Sequence, residues 1–558
     1  MRKRTTEYFL ELEKCDMSQE LKCVNALQDT PWQINRHVLA VLRQAWDSGQ
    51  TWGGLPARDN LPLPEYPFSC EPSELTPAQQ AEFKEFRKKR GAVHAHNNTT
   101  MSLRILIERT IQIAEQYEKE TEFFYVWQLD FRSRKYPMES FLSPQTGDAG
   151  KALLTFAYGV AITCAEDAKW LAIQGANVYG NDKITLEERE LFAYMNTELA
   201  QAVADDPFSE TIWLEADKPW QFLAWCYEWA GYTRARDAGE EYLTTLPCSA
   251  DGSCNGLQHL SAILRDKEGG KAVNLTKTLL PQDIYADVAM KAMARIRKDA
   301  EDISNTMAQQ CLKFGITRKE TKRSVMIVPY SGTRYACRDY VMEALKERVK
   351  KQGHNPWGDD LYLAANYMSG HIWDAISDSI SSARIVMDYI RSVAEVYAKH
   401  KQVMQWYTPT GMLIWQCYSD MNKRRIRTSI NGSFVKLNYH SQIDDTVNRS
   451  KTLSGASPNM IHSLDAAALT MTVNRCTDVG IKDFSMVHDS YGTQSPYMPQ
   501  MVNIIRESFV DMYEENDVLQ QLYDHAVKVL PDGVEIPKPP ERGDLSLQEV
   551  LQSEYFFS

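Results

Sequence analysis

The stretch FSMVHDSYGT, residues 484–493, sets one carboxylate, Asp489, between a histidine and a serine, with apolar and β-prone residues on both sides. The pattern reads as a strand that reverses at the acidic residue, a hairpin with a charge at its tip. A carboxylate held that rigidly suits a ligand that must stay in place better than it suits a solubilising group.

Two other stretches carry chemistry of a matching kind. In YVWQLDFRSRKYP an aromatic-rich strand delivers Asp130 at its end, and Arg132, Arg134 and Lys135 follow at once. The guanidiniums suit phosphate, which arginine grips with a planar fork. In GITRKETKRSVMIVPYSG, residues 315–332, Arg318 and Lys322 are four apart and share a helix face that Met326 continues, with Tyr330 beyond. Pro329 strains a continuous helix, so the helix is expected to bend or stop there. Such a face can hold a triphosphate, with a sugar near the tyrosine; a solvated basic helix face has the same pattern. Asp130 and Asp489 are far apart in the chain, so only the fold can join them. Joined, two carboxylates bridge a pair of divalent ions for an in-line phosphoryl displacement. Oxygen ligands favour magnesium, and two Mg2+ ions are the expected cofactor.

The rest of the chain bounds this reading. Its 558 residues allow several packed substructures, and 43% hydrophobic with 24% charged residues is ordinary for a globular protein. No apolar run reaches the roughly 18 residues of a membrane span; FLAWCYEWAG is short and holds Glu228. Eleven cysteines occur singly with no CxxC pair, which argues for reduced thiols and against a disulfide frame or zinc site. A net charge of −12 places any nucleic-acid surface locally rather than globally. Periodicity predicts a helix over 18–47, a second opening at Thr76 and Pro77, a third over 98–120, a largely helical middle, an extended basic segment over 413–447 and a helix over 458–475.

Taken together, DFRSRKY, RKETKRSVMIVPYSG and VHDSYGT resemble, in order and character, the three polymerase motifs of the single-subunit RNA polymerases of T-odd coliphages and mitochondria. DGSCNGLQHLSAILRDKEGGKAVNL (251–275), SGASPNMIHSLDAAAL and the terminal LQSEYFFS extend the resemblance over nearly the whole chain, closer to the phage branch. It implies an α+β, mostly helical, right-hand fold with a small antiparallel palm sheet. The thumb would be 1–95, the palm 96–150 together with 463–558, and the fingers 151–462. Asp130 and Asp489 would share the palm sheet as metal ligands. Arg318, Lys322 and Arg134 would meet the nucleotide, and Tyr330 would close over it and help select ribose. His488 matches the histidine beside the metal carboxylate, and His462 one near nascent RNA and template. Asn255, Gln258 and His259 lie where the fingers approach nucleic acid, or else form a turn and helix cap.

The segment 416–445 corresponds to the promoter-reading hairpin, with Arg424, Arg425, Arg427 and Lys436 on extended chain and Asn431-Gly432 as a turn signal. Ser133 and Ser331 stand where the phage enzymes have glycine. The stretch ahead of Asp130 is far shorter than in the family, so the expectation is either a chain lacking the N-terminal promoter-binding domain or a fragment of a longer product. A DNA-directed RNA polymerase acting on template DNA, nascent RNA and rNTPs is therefore expected, in the cytoplasm of an infected bacterial host. A separate protein would supply promoter melting or single-stranded template. A primase or DNA polymerase of the same superfamily is the alternative.

Overall fold

The computed structural model describes residues 3–430, 433–443 and 445–558, an α+β arrangement of many helices with short antiparallel sheets. The Asn431-Gly432 turn signal lies outside the described residues. Near the N-terminus the expected single helix over 18–47 is two, α1 (Ser18–Gln28) and α2 (Arg36–Asp47), separated by strand β1 (Trp32–Ile34). Asn35 explains the restart, because its side chain accepts from the Val38 N–H and caps α2. The helices expected at 77 and at 98–120 are one, α3 (Pro77–Tyr117), opened by a reciprocal capping box between Thr76 and Gln79. The thumb–palm boundary placed at residue 95 thus falls inside an unbroken helix.

Strand β2 (Trp127–Leu129) pairs with β3 (Lys135–Pro137) in a two-stranded ribbon whose turn carries Asp130. β1 pairs with β4 (Leu154–Phe156), closing the N-terminal helices over the core. Helix α4 (Pro219–Ala238) buries Trp220, Trp225 and Trp229. Its Glu228, the residue that interrupts the apolar run, accepts from the Thr244 hydroxyl at 2.7 Å and the Thr245 N–H at 2.8 Å. A buried carboxylate satisfied this way fixes the chain leading into strand β5 (Cys248–Asp251). Beyond β5 come α5 (Asn255–Leu264), α6 (Ile284–Asp299) and α7 (Arg318–Met326). α7 stops before Pro329, as the sequence predicts.

β6 (Met421–Ile430) and β7 (Ser433–Gln442) form the basic hairpin, and α8 (Arg449–Asp478) follows. α8 begins nine residues before the expected start at 458 and carries Pro458 internally. Packing holds it there: Thr452 and Ala456 are buried, and Ser457 donates to the Pro329 carbonyl at 3.0 Å. Last, β8 (Ser485–Val487) and β9 (Ser490–Thr493) form the expected hairpin with His488 and Asp489 in its turn; His488 has φ +55°.

The sheet around that hairpin differs from expectation. β9 pairs on its other side with β5, which places Ser490 opposite Asp251. β5 belongs to the interval expected to be fingers, yet it completes the sheet that carries Asp489. Asp130 sits in the separate β2–β3 ribbon. The two are laid side by side by Gln145, whose Nε2 donates to the Lys135 carbonyl at 3.0 Å and the Met486 carbonyl at 3.2 Å.

Candidate active site

The β5–β9 register decides which carboxylate meets Asp489. Asp251 ends β5 opposite Ser490, so Asp251 and Asp489 emerge at the same end of neighbouring strands. The Gly252 N–H donates to the Asp489 carbonyl at 3.2 Å and fixes the offset. Burial raises the Asp489 pKa, and the Asp251 charge raises it further. Neither carboxylate forms an ion pair among the described residues. Both line one cavity of about 410 Å³.

Arg318, Lys322, Lys151, Lys183 and Lys218 line the same cavity. Arg318 is paired with Asp283 at 2.6 Å and Lys183 with Asp182 at 3.1 Å. Lys151, Lys218 and Lys322 have no ion-pair partner among the described residues. Desolvation lowers the pKa of Lys322, and the neighbouring Arg318 adds to it; Lys151 is lowered by desolvation and then by Lys218. Unpaired cations crowded into one cavity call for an anion of several charges. The two carboxylates call for the opposite. A pair of like charges, Asp489 half-buried and Asp251 exposed to the cavity, with oxygen donors only, fits a hard divalent cation that completes its shell with water and phosphate oxygens. Among the described residues no cluster of three or more His, Cys, Asp or Glu offers a closed metal cage.

Asp130, expected as the second metal ligand, does not line this cavity. Its carboxylate is consumed locally. Oδ1 accepts from the Arg132 and Arg134 N–H groups at 2.8 and 3.1 Å, and Oδ2 accepts from Arg132 Nε and Nη2 at 2.8 and 2.5 Å. It is the keystone of a turn. Arg134, expected on phosphate, is engaged bidentately by Asp465 on α8, at 3.1 and 2.5 Å. Arg132 reaches His462 Nδ1 at 2.9 Å. Burial, then the Arg134 and Arg132 charges, lowers the His462 pKa to about 3, so its ring is neutral and Nδ1 accepts.

Tyr330 lies with its ring centroid 4.9 Å from that of His462. Burial, then Asp465 and Asp489, raises the pKa of its hydroxyl. A Cβ on Gly256 of α5 would come within 3.1 Å of that hydroxyl, so glycine is what admits the tyrosine. His488 packs edge-on against Tyr136 at 4.9 Å and is held neutral, its pKa lowered to about 4 chiefly by burial.

Gln258 and His259 are not at a nucleic-acid surface. Gln258 donates to the Val273 and Phe556 carbonyls, and His259 Nδ1 meets the Tyr513 hydroxyl at 2.6 Å. Asn255 is buried beside them. They hold down the terminal aromatics, and the Ser558 N–H donates to the Asp251 carbonyl at 3.3 Å. The aromatic end therefore folds back to the cavity, which Ser558 helps to line. The signal for Asp251 was present in LPCSADGSCNG, a strand ending in aspartate just as VWQLD does.

On the hairpin, Arg425 faces Asn438 and Arg427 faces Lys436 across the strands. Strand alternation puts Arg425, Arg427 and Lys436 on one face with Lys423. Arg424 pairs with Tyr439 and lies on the other face, beside the exposed Ile426 and Leu437.

A sheet-end carboxylate pair beside a basic helix can hold a polyphosphate together with a divalent cation. The family described as DNA-dependent RNA polymerase matches residues 163–533, and the chain belongs to that family. Its relatives include the DNA-directed RNA polymerase of Enterobacteria phage T3, 32% identical over 97% of this chain and 65% of the relative. T7 RNA polymerase of Escherichia phage T7 is 31% identical over 100% of this chain and 66% of its own length. The mitochondrial DNA-directed RNA polymerase 1B of Nicotiana tabacum is 32% identical over 100% and 54%. The chain thus spans about two thirds or less of the curated relatives it matches. No helix among the described residues is long and apolar enough to cross a membrane.

Proposed function

We propose that the chain is the catalytic part of a DNA-directed RNA polymerase, extending RNA on a DNA template from rNTPs. The observation that carries this reading is the single cavity lined by Asp251 and Asp489 together with Arg318 and Lys322. Asp251 and Asp489 would hold two Mg2+ ions, which when bound supply activation of the attacking 3′-hydroxyl and neutralise charge on the leaving phosphates. Arg318 and Lys322, presented one helical turn apart, bind and orient the triphosphate. Lys322, whose proton is loosened by desolvation, is placed to donate it to the leaving pyrophosphate. Tyr330, braced on His462, stands where the sugar is read, and its hydroxyl selects ribose over deoxyribose. The basic hairpin face contacts duplex DNA ahead of catalysis. In right-hand terms, the β8–β9–β5 sheet is the palm floor, α7 belongs to the fingers and α3 to the thumb.

The test offers magnesium and single-stranded DNA with rNTPs or with dNTPs. Template-complementary RNA from rNTPs, and none from Asp489→Asn, supports the reading. Equal use of dNTPs, or undiminished synthesis by that variant, overturns it. A readout besides activity is thermal: millimolar Mg2+ should raise the unfolding temperature of the native chain and not of Asp251→Asn.

A further inference from the structure

Ser133 and Lys135 carry an arrangement the polymerase reading leaves unused. Ser133 is fully buried and has φ +69°, a left-handed conformation that disfavours any residue with a Cβ. It sits in the middle of the Asp130 turn. Lys135, two residues on, is 3% exposed, an unusual place for an ammonium. Its Nζ donates to Glu20 Oε2 at 2.6 Å, to Ser133 Oγ at 3.3 Å, to the Ala466 carbonyl at 3.3 Å and to the Thr470 hydroxyl. Glu20, on α1 and wholly buried, also accepts from Thr410 at 2.5 Å and Thr470 at 3.1 Å.

These contacts form a ladder on α8. Arg132 bonds His462, Arg134 bonds Asp465 three residues later, and Lys135 bonds the adjacent Ala466 carbonyl and Thr470 one turn further on. The upper rungs end at the histidine on which Tyr330 packs. A buried ion pair is seldom worth its desolvation as a source of stability alone, but it fixes one register among several. Here the register is that of a turn whose central serine is strained.

We infer that Lys135, neutralised by Glu20, is a positioning residue. It clamps Ser133 in the left-handed region so that Arg132 and Arg134 reach His462 and Asp465 and hold the seat of Tyr330. The link from that seat to sugar selection rests on the proposed function; the clamp itself does not.

The test uses the full chain with Glu20→Gln/Lys135→Met, which removes both charges together and avoids stranding one, and the same pair with Ser133→Gly. In the double variant, hydrogen exchange of residues 130–136 should quicken about tenfold, the order expected when a left-handed serine loses its support. Adding Ser133→Gly, which needs no clamp at that φ, should restore slow exchange. The ribo-to-deoxyribonucleotide preference should fall and recover in parallel, while the Mg2+ concentration for half-maximal activity stays unchanged. Unaltered exchange in the double variant, or no recovery with glycine, overturns the clamp. If exchange behaves as stated but sugar preference does not move, the clamp stands and its link to Tyr330 is overturned. An unmodified chain that makes no RNA refutes the polymerase reading and leaves the exchange result to judge the clamp.

Discussion

Asp130 and Asp251 are both aspartates delivered by the end of a short strand, and only their surroundings separate them. Asp130 has its lone pairs filled by Arg132 and two backbone N–H groups, whereas Asp251 faces a cavity and another carboxylate. Their asparagine variants should therefore fail in different ways. Asp251→Asn is expected to remove RNA synthesis by two orders of magnitude or more while leaving the unfolding temperature nearly unchanged or raised, since it relieves like-charge repulsion. Asp130→Asn is expected to cost about 1–3 kcal/mol of stability through weakened charge-assisted bonds, with a smaller loss of synthesis. Denaturant unfolding alongside primer extension separates the two. Tyr330→Phe, which keeps the ring on His462 and removes the hydroxyl, should leave extension with rNTPs and reduce discrimination against dNTPs. Unchanged discrimination would show the hydroxyl to be idle.

At the scale of elements, the hairpin and α3 are each set by local rules that give testable consequences. Arg427 and Lys436 face each other across the ladder, an arrangement that repels unless an anion lies over both. Lys436→Ala is expected to weaken DNA binding and lower the salt dependence of log K by about one phosphate contact. Arg424→Ala, on the opposite face, should do less; filter binding across a salt series reads both. Thr76→Ala breaks the capping box of α3 and should cost about 1 kcal/mol, seen as a loss of stability with catalysis retained. The elements legible in the sequence were those whose signals are local: the Thr76 cap, the stop of α7 before Pro329, the turn at Asp489. The split of 18–47 into two helices and the early start of α8 were not. A strand pairing with β4 and packing around Pro458 override helical periodicity in those places.

Across the whole molecule, buried histidines set the response to acid. The pKa of His259 is lowered to about 3, that of His462 to about 3 and that of His488 to about 4, from 6.5, with burial the first cause in each. The unfolded chain takes up these protons near pH 6.5 and the native chain does not. Their contribution to stability is therefore complete above that pH and is lost as pH falls from about 6.5 towards about 4 for His488 and about 3 for His259 and His462, at up to about 1.4 kcal/mol per pH unit for each histidine. Asp465 works in the opposite sense, because burial raises its pKa to about 6 and the native chain then binds a proton the unfolded chain releases. Urea midpoints between pH 7.5 and 5 should fall with acid, and His259→Gln should make that slope shallower. An unchanged slope would place the proton uptake elsewhere.

The sequence by itself determined the kind of chemistry and most of its parts: a carboxylate in a hairpin turn, a helix offering arginine and lysine on one face, a tyrosine just past its end, and family membership through motifs that local residues spell out. Only the tertiary structure decided which second carboxylate stands beside Asp489. That choice is made by the hydrogen-bond register of β5 against β9, a contact between segments distant in the chain, and neither composition nor periodicity records which of two similar strands will pair.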